Sequence, residues 1–292
     1  MIHTKLCDLL GIQFPIIQGG MGWIADGQLA GSVSKAGGLG IIACASAEKE
    51  DIRKEIHIAR SITNKPMGMN IIAKNPNALD MTNFRAQIIA IPVCPSPILA
   101  KKMQDLGADA VVVEGCEAGG HVGEMTTMSL VPQTVDLVSI PVIAAGGIAD
   151  GRTAAAAFIL GAEGIQLGTY FTVCKESNAH ENYKETIIKS NGWDTVVTGR
   201  LLGHPIRSIN NDLIKRCIEL ERNGQFQMVE EIAHGSPRKA VKEGNLLEGS
   251  FMSGQSCGLI TKKNSASEII RQILSSAENY LSKYPEHIKS TC

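Results

Sequence analysis

The chain has 292 residues, of which 44% are hydrophobic and 20% charged, enough apolar material for a sizeable globular core. Its 28 Lys and Arg stand against 29 Asp and Glu, so no basic field exists to hold a polyanion, and nucleic acid is excluded as an expected partner. No apolar run reaches the length of a membrane span, and the opening MIHTKLCDLLGIQFP has neither the charged nor the apolar region of a signal peptide, so the expected location is the cytoplasm.

In chain order, short apolar runs recur: FPIIQ from Phe14, LGIIAC from Leu39, PMGMNII from Pro66, IIAIPV from Ile88, ADAVVVE from Ala108, IPVIAA from Ile140 and EGIQLG from Glu163. Being apolar on both faces, they predict strands of a covered parallel sheet. Helices separate them, with start and stop residues in place. Asp26 caps GQLAGSVSKA before Gly37, Ser96 and Pro97 open ILAKKMQDL before Gly107, and Asp150 precedes GRTAAAAFIL before Gly161. The unit IPV, helix, GADAVVVEG echoes as IPV, helix, GAEGIQLG, and such repeats argue for a (β/α) barrel or a doubly wound sheet. Glycine-rich polar sequence after many strand ends, not at one switch point, favours the barrel.

After TVCKESNAH the rhythm changes. Residues 192–258 carry TGRLLGHPIRSINN, a charged helix DLIKRCIELERNGQ, and EGNLLEGSFMSGQSCGLI, and are expected to form a small helical lid or substrate subdomain. Residues 1–191 and 259–292 then make the barrel. Eight cysteines without a C-x-x-C pair read as buried small hydrophobes, not as a zinc site or disulfide frame.

Two glycine turns carry the first chemical signal. AAGGIADG, with Ala145, Gly146 and Gly147, follows the sixth strand, and QLGTYF, with Gln166, Gly168 and Thr169, follows the seventh. Free backbone donors in such turns, beside a helix N-terminus, make a phosphate site. The first strand ends IIQGGMG, where Gly19 and Gly20 would let a planar ring approach and Met21 could lie against it. Asn70 in MGMNII is an amide among apolar neighbours that needs a polar partner. In VVVEGCEAGGHVGE, Glu114 closes a strand and the glycines let His121 project into the mouth, where an imidazole can donate a hydrogen bond to a developing oxyanion or pass a proton. The plainer reading is a solvated loop histidine. No paired-histidine spacing supports a transition-metal site. His180 and His204 sit in loops that could also face the mouth.

Taken in order, QGGMG, MGMNI, EGCEAGGHVGE, IPVIAAGGIADG, GAEGIQLGTYF, CKESNAHENYK, GHPIRSINN and GSFMSGQSCGLI resemble the flavin-dependent enoyl-acyl-carrier-protein reductase II family, which shares its barrel with nitronate monooxygenases. The resemblance covers nearly the whole chain. It implies an α/β, TIM-type (β/α)8 barrel with FMN at its mouth. Gly146, Gly147, Gly168 and Thr169, beside Ala145, would hold the phosphate. Gly19, Gly20 and Met21 would approach the isoalloxazine, and Asn70, Glu114 and Gln166 would meet its polar edges. NADH or NADPH would be co-substrate, and a trans-2-enoyl thioester on acyl carrier protein would be reduced at its β-carbon. His121 would be catalytic, as oxyanion donor or as proton source. A monovalent cation supporting activity is also implied.

The chain departs from that family in one place. Between MGMNII and IIAIPVCPS the family has a further strand, a glycine-rich turn and helices, whereas AKNPNALDMTNFRAQ is too short for them. The expected barrel is therefore short of one β/α unit after its third strand, without the flavin-binding and substrate-binding groups of that unit's turn. A homodimer partner could cover the gap. Two other readings stand beside the reductase: a nitronate monooxygenase using oxygen, and a flavin-binding remnant without turnover.

Overall fold

A computed structural model of the chain describes residues 2–44, 47–71 and 88–283. It begins with α1 (Lys5–Leu10), β1 (Ile16–Gln18), α2 (Gly27–Lys35), β2 (Gly40–Ala43), α3 (Lys49–Ile62) and β3 (Met67–Asn70). Then come β4 (Val93–Cys94), α4 (Pro97–Asp105), β5 (Val111–Glu114), β6 (Gly120–His121), α5 (Thr127–Val135), β7 (Val142–Ala145), α6 (Gly151–Ile159), β8 (Gly164–Leu167) and α7 (Thr169–Thr172). The remainder is α8 (Glu181–Lys189), β9 (Thr195–Thr198), β10 (Ile206–Ile209), α9 (Asp212–Arg222), α10 (Phe226–Ala233) and a final α11 (Ala266–Ser282), with shorter turns of helix between.

All seven expected strands are present and parallel, although the run from Ile88 shortens to Val93–Cys94. Five pair in the order β1-β8-β7-β5-β4, and β2 pairs with β3. Gln18 joins the two sets. Its backbone amide donates to the Leu39 carbonyl at 2.9 Å, and its buried side chain accepts from the Ile41 amide at 3.1 Å and donates to the Ile41 carbonyl at 3.2 Å. The full order is thus β3-β2-β1-β8-β7-β5-β4, a curved sheet of the TIM-barrel type. The eighth-strand gap expected after β3 falls on residues 72–87, outside those described.

Period-two alternation explains why these strands are apolar throughout. Ile16, Val111, Val113, Ala144, Ile165 and Leu167 face the helical layer and pack with Leu29, Val33, Leu130, Ile269 and Ile270. Their neighbours Ile17, Val112, Ile143 and Ala145 face inward and pack on Leu6, Cys7 and Leu10 of α1, which plugs one end. Gly164 admits that plug, since a Cβ there would lie 2.3 Å from Leu6 Cδ2. The predicted caps form as well: Asp26 accepts from the Leu29 amide at 2.9 Å, Ser96 Oγ from the Leu99 amide at 3.3 Å, and Asp150 makes a capping box with Thr153.

The segment 192–258 is not purely helical. Its β9 and β10 form an antiparallel hairpin, and β10 also pairs with β6 from the loop after β5. Helices α9 and α10 pack together beside it. Four-residue strands whose third partner lies some 80 residues upstream leave little local periodicity to read. Most cysteines are buried as expected, but Cys116 is only half-buried, because it sits in the loop at the strand mouth.

Candidate active site

Strand geometry gathers the expected residues at one end of the sheet. Gly19 and Gly20 follow β1, Asn70 ends β3, Glu114 ends β5, Ala145 ends β7, and Gln166 sits near the end of β8. Gly19 and Gly20 are also required to be small by the chain itself. A Cβ on Gly20 would stand 2.4 Å from Asn70 Cβ, and one on Gly19 would stand 3.4 Å from the Gln166 amide. The glycines thus let two polar side chains from neighbouring strands lie over the first strand end. Met21 packs across β8, with its sulfur 3.3 Å from Thr172 Oγ1 and 3.6 Å from a Cβ built on Gly168.

The turn after β7 needs glycine twice. Gly146 and Gly147 have φ of 90° and 73°, and a Cβ on Gly146 would lie 2.8 Å from the Gly115 carbonyl oxygen. The N-terminus of α6 is not the anion site, since Asp150 already takes the Arg152 and Thr153 amides and Thr153 Oγ1 takes those of Ala149 and Asp150. The backbones of Gly146, Gly147 and Gly168, by contrast, lie in the turns just past the ends of β7 and β8, with no side chain of their own to block a ligand. These turns form a glycine cradle at the ends of β7 and β8, where a phosphate can approach the backbone closely.

Sequence reasoning assigned no role to Glu117, Arg207 or residues 253–255, and the structure brings all of them here. The Glu117 carboxylate accepts from the Thr127 amide at 3.0 and 3.1 Å and from Thr127 Oγ1 at 3.0 Å, tying the β5 loop to α5. The Gly254 amide donates to Thr169 Oγ1 and the Gln255 amide to the Glu117 carbonyl, both at 2.9 Å. Residues from after β5, after β8 and before α11 are thereby locked together. Arg207 of β10 is buried at 8% exposure; its Nε donates to the Cys116 carbonyl and its guanidinium to Thr195 Oγ1, both at 3.1 Å. A resemblance at GHPIRSINN and GSFMSGQSCGLI was the one sequence signal for this second layer.

His121 lies on β6 directly opposite Ile206, and the next residue, Val122, donates its amide to the Pro205 carbonyl at 3.1 Å. Its side chain is exposed, yet partial desolvation, with the nearby His204, lowers its pKa from the usual 6.5. The neutral imidazole therefore predominates at pH 7. Burial pushes the Glu114 carboxyl up to about 7, so near neutrality it is often a hydrogen-bond donor. His180 does not serve the mouth: its Nδ1 caps α8 by accepting from the Asn182 amide at 3.1 Å.

The nitronate monooxygenase family model matches residues 3–93 and 82–276. The chain belongs to that family. As a nitronate monooxygenase family member it is an FMN-dependent oxidoreductase. It is similar to the structure of FabK from Thermotoga maritima, with 43% identity and a TM-score of 0.93 over 99% of this chain and 100% of that one. It is also 35% identical to an octahydro-indene-4-carboxyl-CoA dehydrogenase of Rhodococcus jostii, over 82% of this chain and 74% of that protein. A probable nitronate monooxygenase of Staphylococcus aureus is 33% identical over 92% of this chain and 97% of its own length.

The cradle fits FMN. The glycine turns at Gly146, Gly147 and Gly168 leave backbone open to a phosphate, and Asn70, Gln166 and Glu114 supply polar groups of both hydrogen-bonding senses for a heterocycle edge. No helix among the described residues is long and apolar enough to cross a membrane.

Proposed function

We propose that the chain is an enoyl reductase, reducing trans-2-enoyl thioesters carried by acyl carrier protein with NADH or NADPH as electron source. The observation that carries this reading is the likeness to FabK over essentially the full length of both chains, including the lid hairpin that holds His121.

In this reading Gly146, Gly147, Gly168 and Thr169 hold the FMN phosphate, and Ala145 backs the turn. Gly19, Gly20 and Met21 support the ring, and Asn70, Gln166 and Glu114 bind its edges. FMN, when bound, supplies the hydride that goes to the β-carbon of the enoyl thioester. The chain's own task is to place the thioester carbonyl and to stabilise the charge that develops on its oxygen. Neutral His121 can donate a hydrogen bond to that oxygen through its ring N–H. Residues 192–258 act as the lid that excludes water over the mouth. The reading extends to a monovalent cation that supports turnover, a cytoplasmic setting and a homodimer.

A nitronate monooxygenase activity is the second reading, supported by the family and by the staphylococcal relative. It would ask His121 to act as base on a nitroalkane carbon, which the neutral imidazole can do, and it ranks second because the likeness to FabK spans the full length of both chains at higher identity. Anaerobic stopped-flow absorbance of FMN-loaded protein separates the two. Bleaching by NADH or NADPH and recovery on adding a crotonyl thioester is the expected result. Flavin that neither nicotinamide bleaches, but nitronates do, would transfer the assignment to the monooxygenase, and bound flavin reduced by none of them would mark a remnant without turnover.

A further inference from the structure

The small sheet that holds His121 has two faces with different surroundings. Residues directly opposite on an antiparallel pair project to the same side. His121 therefore shares a face with Ile206, and Ser208 lies there too, while Arg207 turns to the other side and meets Cys116. On the face of Ile206 and Ser208, the hairpin and helices α9 and α10 border a partly open cavity of about 180 Å³.

Its walls are mostly apolar, with Leu213 and Cys217 from α9 and Val229 and Ala233 from α10. Several polar groups on the wall are engaged: Ser208 Oγ lies 3.1 Å from Ser250 Oγ, the Glu221 carboxylate accepts from the Gly199 amide at 2.7 Å, and Ser236 Oγ donates to the Ala233 carbonyl at 2.7 Å, while Thr198, His204 and Glu230 add polar atoms beside them. A guest would thus find mostly apolar surface. Three lining residues also border the imidazole. Ile206 is its strand partner, His204 is the neighbour that lowers its pKa, and the Met252 sulfur lies 3.6 Å from a Cβ built on the adjacent Gly120.

We propose that this lid cavity receives the aliphatic chain of the thioester substrate, entering past Ile206 and Met252 while the thioester carbonyl stays at His121; the proposal rests on the enoyl reductase reading and adds a chain-length selector to it. Each methylene that leaves water for the cavity strengthens binding until the space is full. The lid then both covers the mouth and measures the acyl chain.

The test uses the full FMN-loaded chain and saturated acyl thioesters of N-acetylcysteamine, butanoyl to decanoyl, which bind without reacting, followed by calorimetry. Affinity should rise about tenfold or more from butanoyl to decanoyl. Ala233→Phe and Cys217→Met, which fill the cavity from different helices, should remove most of that rise and leave butanoyl affinity and FMN content unchanged. Equal wild-type affinity for the two chain lengths, or an unchanged preference in a folded filled variant, overturns the proposal; if neither variant folds, the wild-type series alone decides. Turnover is read separately. A chain that prefers decanoyl but reduces no enoyl thioester keeps the pocket and loses the reductase reading, and one that reduces enoyl thioesters without any chain-length preference in binding does the reverse.

Discussion

His121 and Ile206 face each other across the antiparallel pair of β6 and β10, so the candidate catalytic imidazole is held by the lid as much as by the barrel. The glycines around His121 leave its loop free to move, and the hairpin removes that freedom by supplying a strand partner. Removal of the imidazole should leave the cofactor site intact, because no residue of the glycine cradle hydrogen-bonds to the ring. We expect His121→Ala to stay yellow and to lose on the order of a hundredfold or more in kcat with enoyl thioester. Full activity in that variant would remove His121 from the chemistry.

His204 and His121 repel each other when both are protonated, which is part of why the His121 pKa is lowered. Replacing His204 with Gln should raise the His121 pKa toward its ordinary 6.5. An imidazole titration followed by NMR reads this directly, and a pKa unmoved or further lowered would show that desolvation alone is responsible.

Glu114 gives the cofactor-free protein a pH-dependent stability. Its pKa is 4.5 when exposed and about 7 in the fold, so the folded state holds the proton more tightly. Below pH 4.5 both states are protonated and the residue costs nothing. Between 4.5 and about 7 the unfolded state ionises first, and stability falls as pH rises, by an amount on the order of 3 kcal/mol in total. Denaturant titrations from pH 4 to 8 should show this slope, and Glu114→Gln should flatten it.

Arg207 fastens the lid hairpin to the loop after β5 through the Cys116 carbonyl and Thr195. Arg207→Met keeps the apolar stem but strands these acceptors, at a cost of about 1–3 kcal/mol. The expected signature is a lower melting temperature and a reduced kcat with near-normal FMN affinity. A loss of FMN equal to the loss of turnover would show that Arg207 serves the cofactor instead.

Gly146 sits at φ of 90° with the Gly115 carbonyl oxygen 2.8 Å from where its Cβ would be. Gly146→Ala should therefore distort the turn and lower FMN affinity about tenfold or more, each 1.4 kcal/mol of lost binding being a factor of ten. Unaltered flavin retention, measured by equilibrium dialysis, would place the phosphate elsewhere.

Much of this was legible in the sequence because it is local. Runs apolar on both faces marked all seven strands, and β1, β5 and β7 show the reason, being covered by helices on one side and by α1 on the other. Asp26, Ser96 and Asp150 marked helix starts, since a cap bonds to amides two or three residues away. Glycine turns at strand ends announced the cradle for the same reason. What the tertiary structure alone decided is every relation between distant segments. Nothing near Gly20 in sequence says that it is small to admit Asn70, and nothing near Glu117 says that it serves Thr127 while its carbonyl receives Gln255. The lid strands escaped local reading because β10 finds its partner β6 in the barrel loop, and hydrogen bonds between segments far apart in sequence leave no period in either.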